Sequence, residues 1–156
     1  MKLANIQVLL LRLAVGALFL TLAIDKFNEG WLTNSEPLRT SLTGYQQHAG
    51  EWQFKYLERV AIPYAGVWAK LILIGEACLA TSLLLGMLVR LTSASGLFML
   101  LNIYAANGSL FSWKFFSSPY GGLLFASLWV FLLARAGRWA GIDSIFATKD
   151  TKAIWW

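Results

Sequence analysis

The residue of this sequence best suited to chemistry is a carboxylate in the middle of a long apolar stretch. Glu76 lies about twelve residues from either end of the stretch 64–88. A charge at this depth in hydrocarbon costs several kcal/mol unless it is paired or hydrated, so it requires a reason. Two interpretations stay open: Glu76 exchanges protons or contacts a polar group such as a quinone carbonyl, or it forms a buried ion pair that only fixes helix register.

Further charged residues suggest partners for this carboxylate. Arg12 lies in the first third of the first apolar stretch, and on antiparallel neighbouring helices its long side chain is predicted to extend towards Glu76 as a second catalytic residue. Asp25 and Lys26 close the same stretch at its other end, where Lys70 of the second stretch lies at a similar depth. Asp25 and Lys70 are therefore predicted to pair. Asp25, Lys26 and Lys70 are all candidate binding residues.

The other candidate binding residues are Asn102, Arg90 and His48. Asn102 lies near mid-depth of the third apolar stretch, and Arg90 lies in the turn before it. His48 is the single histidine and lies in the longest polar segment. An exposed loop position is the ordinary interpretation of His48, and contact with a quinone or a proton relay is the alternative. One histidine cannot by itself form a zinc or haem site.

Several classes of site lack their residues in this sequence. Cys78 is the only cysteine, so an internal disulfide and a CxxC redox centre are excluded. Phosphate-binding glycine loops, metal-ligand clusters and nucleophile triads are also absent as motifs. The net charge is +5, but the basic residues lie at segment boundaries and form no patch, which argues against nucleic acid as a partner. The chain is expected to bind no redox cofactor alone, with quinone as the candidate ligand.

The elements that position these residues follow from composition. Of the 156 residues, 58% are hydrophobic and 13% charged, so lipid is the expected solvent. The apolar runs are continuous rather than alternating, which predicts helices and excludes barrel strands. The predicted fold is an all-α, single membrane domain, an antiparallel bundle of four transmembrane helices over residues 6–27, 64–88, 91–110 and 120–136.

Residues 28–62 are predicted to form a cap outside the membrane that contains short amphipathic helices. A helix start at Ser35–Pro37 is followed by apolar residues on one helical face, and a second helix is predicted over Glu51–Val60. The aromatic segment Leu110–Tyr120 joins the third and fourth runs, so it is expected on the same side as the cap. The predicted faces are Leu38, Leu42 and Tyr45 in the first helix, and Trp52, Tyr56 and Val60 in the second.

The distribution of lysine and arginine predicts the orientation. Basic residues in membrane proteins concentrate on the cytoplasmic side. On the side of the cap they are diluted along a long loop that also carries glutamates, which predicts that both termini lie in the cytoplasm. The membrane is expected to be a bacterial or archaeal plasma membrane. The opposite side carries Lys2, Arg90, Arg135, Arg138, Lys149 and Lys152.

Two segments resemble the DoxX/DoxD family. The run LLRLAVGALFLTLAIDKF (Leu10–Phe27), followed by Gly30-Trp31, resembles the family's first span. The run IGEACLATSLLLGMLVRLTS (Ile74–Ser93) resembles its second span and turn, and the resemblance extends to about Asp143. The positions that match the family's marked residues are Arg12, Gly16, Asp25, Lys26, Glu76, Gly86 and Arg90.

The resemblance implies a four-helix membrane protein and suggests an activity. DoxD is the membrane subunit of a thiosulfate:quinone oxidoreductase and pairs with a smaller DoxA subunit. The resemblance thus implies a small membrane subunit of a quinone-linked oxidoreductase or electron-transfer complex, with a DoxA-like or larger partner. The alternative is an accessory subunit of a respiratory or photosynthetic complex that contributes no chemistry. Thiol oxidoreductases of the vitamin K epoxide reductase type are disfavoured because their paired cysteines are absent.

Overall fold

The computed structural model describes residues 3–110, 112–134, 136 and 141–143, and 81% of these residues are helical, with no strand among them. Two wider helical turns lie at Leu57–Ala61 and Pro119–Leu123. The helices are α1 (Leu3–Asn28), α2 (Glu36–Gln46), α3 (Glu51–Tyr56), α4 (Ala65–Leu85), α5 (Val89–Ala106), α6 (Trp113–Ser117) and α7 (Leu124–Ala134).

Helices α1, α4 and α5 are each long and apolar enough to cross a membrane. Large apolar side chains project from them without protein cover, as at Leu10 and Phe98, which are 61% and 66% exposed. Such surfaces need lipid rather than water. The chain is therefore an integral membrane protein.

The fourth predicted span is shorter than the other three. The apolar helical segment Tyr120–Ala134 covers 15 residues. At 1.5 Å per residue it is about 22 Å long, against a hydrocarbon core of about 30 Å. Arg135 and Trp139, which the sequence places at the end of this run, lie outside the described residues, and so do Arg138, Lys149 and Lys152.

The register between α1 and α4 is set by a close approach at Gly16. A Cβ atom at this position would lie 3.1 Å from side-chain atoms of Leu83 and Leu84. Small residues allow membrane helices to approach in this way. Because the helices are antiparallel, the first half of α1 lies beside the end of α4, and the end of α1 lies beside the middle of α4.

Helices α4 and α5 form a wedge that is closed at their connecting turn. Gly86 and Leu88 both adopt left-handed backbone conformations there, with φ of 67° and 53°. Next to the turn, the Oγ of Ser82 lies 2.6 Å from the Oγ1 of Thr92. One turn further, a Cβ on Gly96 would lie 2.8 Å from Leu79 Cδ1, so a larger residue there would require the Leu79 side chain to shift. Beyond Gly96, side chains of both helices line a cavity, and the Met99 Sδ of α5 lies 3.3 Å from a Cβ built on Gly75 of α4.

Two apolar clusters hold the molecule together. The larger lies within the bundle and includes Phe19, Leu83, Leu128 and Phe131, which are at most 2% exposed. The smaller joins the cap to the cap-side ends of α4 and α5 through Leu42, Leu57, Ala61, Ala65 and Ala106.

A buried glutamine fixes the cap on the bundle. Gln53 is 6% exposed, and its Nε2 donates to the Ala106 carbonyl at the end of α5 at 2.9 Å. Gly108, with φ of 69°, makes room for this side chain, since a Cβ there would lie 2.6 Å from Gln53 Oε1. This hydrogen bond gives a partner to the Ala106 carbonyl, one of the carbonyls at the end of α5 that have no partner within the helix.

The predicted face of α2 is correct, whereas that of α3 is wrong. Leu42 is buried as expected, but Trp52 is 62% exposed and the buried positions after α3 are Leu57 and Ala61. The buried face lies one residue further along the chain, at Gln53, Leu57 and Ala61, and it keeps a four-residue spacing through the wider turn, in which the Ile62 amide donates to the Leu57 carbonyl. Hydrophobic spacing missed this face because it begins with a polar residue, Gln53, whose side chain is buried with a hydrogen bond to the Ala106 carbonyl.

Candidate functional site

The wedge between α4 and α5 encloses a cavity of about 590 Å³ beneath the cap. Both helices line it with residues spaced three and four apart, which places each set on one helical face. The lining is predominantly apolar. Its residues on α4 are Trp68, Leu71, Ile72, Gly75 and Glu76, and those on α5 include Ser95, Phe98, Met99, Asn102 and Ile103.

The other walls come from α1, the cap and the segment before α7. Phe19, Leu22 and Lys26 of α1 line the cavity from behind. The roof is formed by residues of α2 and of the segment α3 to Ala61, which pack on each other in the smaller cluster. The roof residues are Leu38, Ser41, Leu42, Tyr45, Tyr56 and Ala61, and Tyr120 and Leu124 complete the lining beside α7.

An ion pair between α1 and α4 lies in the cavity wall. The Lys26 Nζ donates to Glu76 Oε1 at 2.9 Å and lies 2.8 Å from Oε2. Glu76 is 4% exposed, and the Lys26 side chain is 18% exposed. The ring of Trp31 covers the ammonium at 5.4 Å from its centroid. Attraction between opposite charges is strong where water is scarce, so the pair holds α1 to α4 and presents charge to an otherwise apolar space.

The predicted pair between Arg12 and Glu76 is wrong. Arg12 lies beside Gly86, about 15 Å along α4 from Glu76, because the contact at Gly16 sets a register that places Lys26 opposite the carboxylate. The sequence could not reveal this, since hydropathy fixes the extent of a helix and leaves its offset against a neighbour open. The sequence indicated Lys26 as a candidate binding residue, but it did not indicate that Lys26 pairs with Glu76.

Arg12 instead organises the opposite end of the bundle. It is 1% exposed, and its Nη1 donates to the Ala136 carbonyl at 2.8 Å. Asp143, also 1% exposed, lies close enough to attract this guanidinium. Its carboxylate accepts from the Leu88 and Val89 amides at 2.8 and 3.3 Å, so it caps α5 from a distant part of the chain. No pattern in the sequence indicated this role for Asp143.

The predicted pair Asp25–Lys70 is also wrong. Both side chains are exposed, and no ion pair joins them. Neither lines the cavity, and the same is true of His48, which is exposed in the turn after α2. Arg90 lies at the other end of the bundle, where its Nε donates to the Leu132 carbonyl near the end of α7 at 2.9 Å.

The predicted candidate Asn102 does line the cavity. Its Nδ2 donates to the Phe98 carbonyl at 2.8 Å, which leaves the amide oxygen as an acceptor. Trp68 was not predicted as a site residue. Its Nε1 is buried without a hydrogen-bond partner among the described residues, although an indole N–H normally has one when buried. Tyr56 adds a hydroxyl in the roof, and burial raises the pKa of this phenol, which therefore stays a donor.

The cavity thus brings together groups suited to a ligand with polar oxygens and an apolar body. Lys26 and Trp68 supply N–H donors, Asn102 an acceptor, and Glu76 a carboxylate that can accept or release a proton. Within the described part of the chain, no group of three or more His, Cys, Asp or Glu residues is placed to hold a metal ion.

Comparison with known families gives this arrangement a context. The model of the DoxX family matches residues 7–108. The chain belongs to the DoxX family. The DoxX match begins near the start of α1 and ends just after α5, so it contains the ion pair and both walls of the wedge. No curated protein and no solved structure matches the chain.

Proposed function

We propose that this DoxX protein is a small membrane subunit of a quinone-linked oxidoreductase and that the wedge holds the quinone headgroup. The observation that carries the proposal is the buried Lys26–Glu76 pair in the wall of an apolar cavity between membrane-spanning helices. Ionisable groups at this depth are rare and are characteristic of ligand or proton pathways. Ligand pockets typically measure about 300–1,000 Å³, and this cavity falls in that range.

The chemistry of a quinone suits these side chains. A quinone carbonyl accepts hydrogen bonds, which the Lys26 ammonium and the Trp68 N–H can donate. Reduction to the quinol adds two electrons and two protons, and the hydroxyls formed can donate to Glu76 and Asn102. In this proposal Glu76 exchanges protons with the headgroup, and the electrons come from a redox centre on a partner subunit, either DoxA-like or part of a larger complex.

Quinone binding by the purified protein tests the proposal. A short-chain quinone analogue is titrated into the protein in nanodiscs, and the dissociation constant is measured by calorimetry. We expect Glu76→Gln and Lys26→Met each to weaken binding by about tenfold, which corresponds to about 1.4 kcal/mol. The matched control is Lys55→Met, which breaks the exposed Lys55–Glu51 pair of the cap and should leave affinity unchanged.

The alternative function, an accessory subunit without chemistry, predicts a different result. In that case the folded wild-type protein binds no quinone, and substitutions in the cavity change only assembly. Purification in mild detergent distinguishes the two functions by the proteins that co-purify. A DoxA-like chain supports the oxidoreductase. A cytochrome or pigment complex, together with no quinone binding, supports the accessory subunit.

We also propose that α7 with the turn before it forms a fourth crossing, which completes an antiparallel bundle in a bacterial or archaeal plasma membrane. The packing of α7 supports this, since α7 packs along α5 and contributes Leu128 and Phe131 to the bundle core. Both termini then lie on the cytoplasmic side, and the cap lies on the other.

A further inference from the structure

The cavity reaches the protein surface between two residues of membrane-spanning helices. Leu71 of α4 and Phe98 of α5 both line the cavity, yet they are 54% and 66% exposed. Both lie well inside the apolar runs of their helices. The opening between them therefore faces the acyl chains of the bilayer.

The narrow end and the back of the cavity are covered, whereas the side towards α7 is only partly covered, since Tyr120 lines it and is 50% exposed. At the narrow end of the wedge, Leu79 packs directly on Gly96, and the core of the bundle lies beyond. Helix α1 covers the back, where Phe19 is 2% exposed.

The roof separates the cavity from the water above the cap. Leu42 and Ala61 are 5% and 3% exposed in the smaller apolar cluster. The hydrogen bond from Gln53 to the end of α5 secures this roof to the bundle. Ser41 at the roof edge is exposed, so the edge is the competing route that an experiment must distinguish.

We infer that the gap between Leu71 and Phe98 is a lateral port through which the ligand enters from the bilayer. The ligand class is an amphiphile with a compact polar head and an apolar isoprenoid or acyl tail. The head lies against the Lys26–Glu76 pair, and the tail passes between the two rim residues into the lipid. The identity of the head as a quinone rests on the proposed function, whereas the port rests on the shape of the wedge alone.

Spin-label accessibility tests the port without any ligand. In a Cys78→Ser background, Ile72→Cys places a nitroxide on the half-buried α4 face that lines the cavity. Oxygen, which concentrates in lipid, and a water-soluble nickel chelate then compete to relax the label. We expect the Ile72→Cys label to respond to oxygen and not to nickel, as a label at exposed Ala77→Cys on α4 does. A response to nickel like that of Thr40→Cys on the exposed side of α2 would overturn the port.

A bulky residue at the rim gives a second test. Leu71→Trp should obstruct the space for the tail, so the affinity for a long-tailed quinone falls by about tenfold. The affinity for a tailless headgroup analogue should stay the same, because equilibrium binding depends on the occupied site and not on the route to it. Ile74→Trp, on an exposed position of α4 outside the cavity, is the matched control and should change neither affinity.

These measurements separate the two proposals. Lipid access to the Ile72→Cys label with no quinone binding retains the port and rejects the quinone function. Quinone binding together with nickel access to the label retains the function and rejects the port. Equal loss of affinity for tailed and tailless ligands in Leu71→Trp would also reject the port.

Discussion

The Lys26–Glu76 pair shows how strongly one residue can depend on another inside a membrane protein. Either charge alone would be left in an apolar wall with little water to solvate it. Removing one partner of a buried pair typically costs about 3–5 kcal/mol, whereas replacing both with apolar residues of similar size is often neutral. The protein can therefore tolerate the replacement of both residues by apolar ones better than the replacement of either one alone.

This asymmetry gives the first stability prediction. Glu76→Leu should lower the thermal denaturation temperature in detergent strongly, because it strands the Lys26 ammonium. The double variant Lys26→Met/Glu76→Leu should recover most of the loss. Denaturation of the two single variants and the double variant gives the coupling between the residues. Simple addition of the two single losses in the double variant would contradict the pairing.

Gly86 lies in a left-handed backbone conformation and is tightly enclosed by neighbouring atoms. Its φ of 67° is strained for any residue with a Cβ, and that Cβ would lie 2.7 Å from Arg12 Nη1 and 2.6 Å from Gly141 Cα. We expect Gly86→Ala to reduce stability by more than about 1 kcal/mol and to lower the yield of folded protein, measured by thermal denaturation.

The matched control for Gly86→Ala is Gly44→Ala in the exposed part of α2. Apart from the glycine itself, its chain neighbours and the backbone of its own helix, no atom lies within 4 Å of a Cβ built there. Alanine in a helix is favoured over glycine by about 0.5–1 kcal/mol, so this variant should be slightly more stable than the wild type. Equal losses in the two variants would contradict the role assigned to Gly86.

At the scale of helices, the start of α5 depends on a carboxylate outside its own segment. Asp143→Ala should leave the Leu88 and Val89 amides without their acceptor, at a cost of about 0.5–2 kcal/mol. Hydrogen exchange at these amides should accelerate, while exchange in the middle of α1 should stay slow. Asp143→Asn keeps an acceptor oxygen and should retain part of the protection. Unchanged exchange in Asp143→Ala would show that the cap contributes nothing.

The helices also show what the sequence could and could not predict. Continuous apolar runs sufficed to place α1, α4 and α5, and the spacing of Leu38, Leu42 and Tyr45 sufficed for α2. The site was predicted in part: Glu76, Lys26 and Asn102 line the cavity, but Arg12 does not. Helix offset depends on close packing at single positions such as Gly16, and hydropathy carries no information about it. The buried face that starts in α3 likewise begins with the polar Gln53, which hydrophobic spacing does not select.

For the whole molecule, the main prediction concerns topology. In a Cys78→Ser background, Thr40→Cys in the cap and Met87→Cys in the α4–α5 turn offer exposed thiols at opposite ends of the bundle. A membrane-impermeant maleimide added to intact cells should label only Thr40→Cys, because the proposed topology places the cap on the outer side. Both should react after the cells are lysed. Labelling of Met87→Cys alone in intact cells would reverse the orientation.

A wedge that is closed at Gly86–Leu88 and open to hydrocarbon cannot stay empty in a bilayer. An empty space of this size would leave the side chains that line it without dispersion contacts on the side facing the cavity, so an acyl chain from a neighbouring phospholipid should occupy it when no ligand is bound. Ligand binding is then an exchange of one tail for another. Occupancy should depend on the mole fraction of the ligand among the lipids, and the apparent affinity should shift with acyl-chain length and saturation even when the headgroup contacts stay the same.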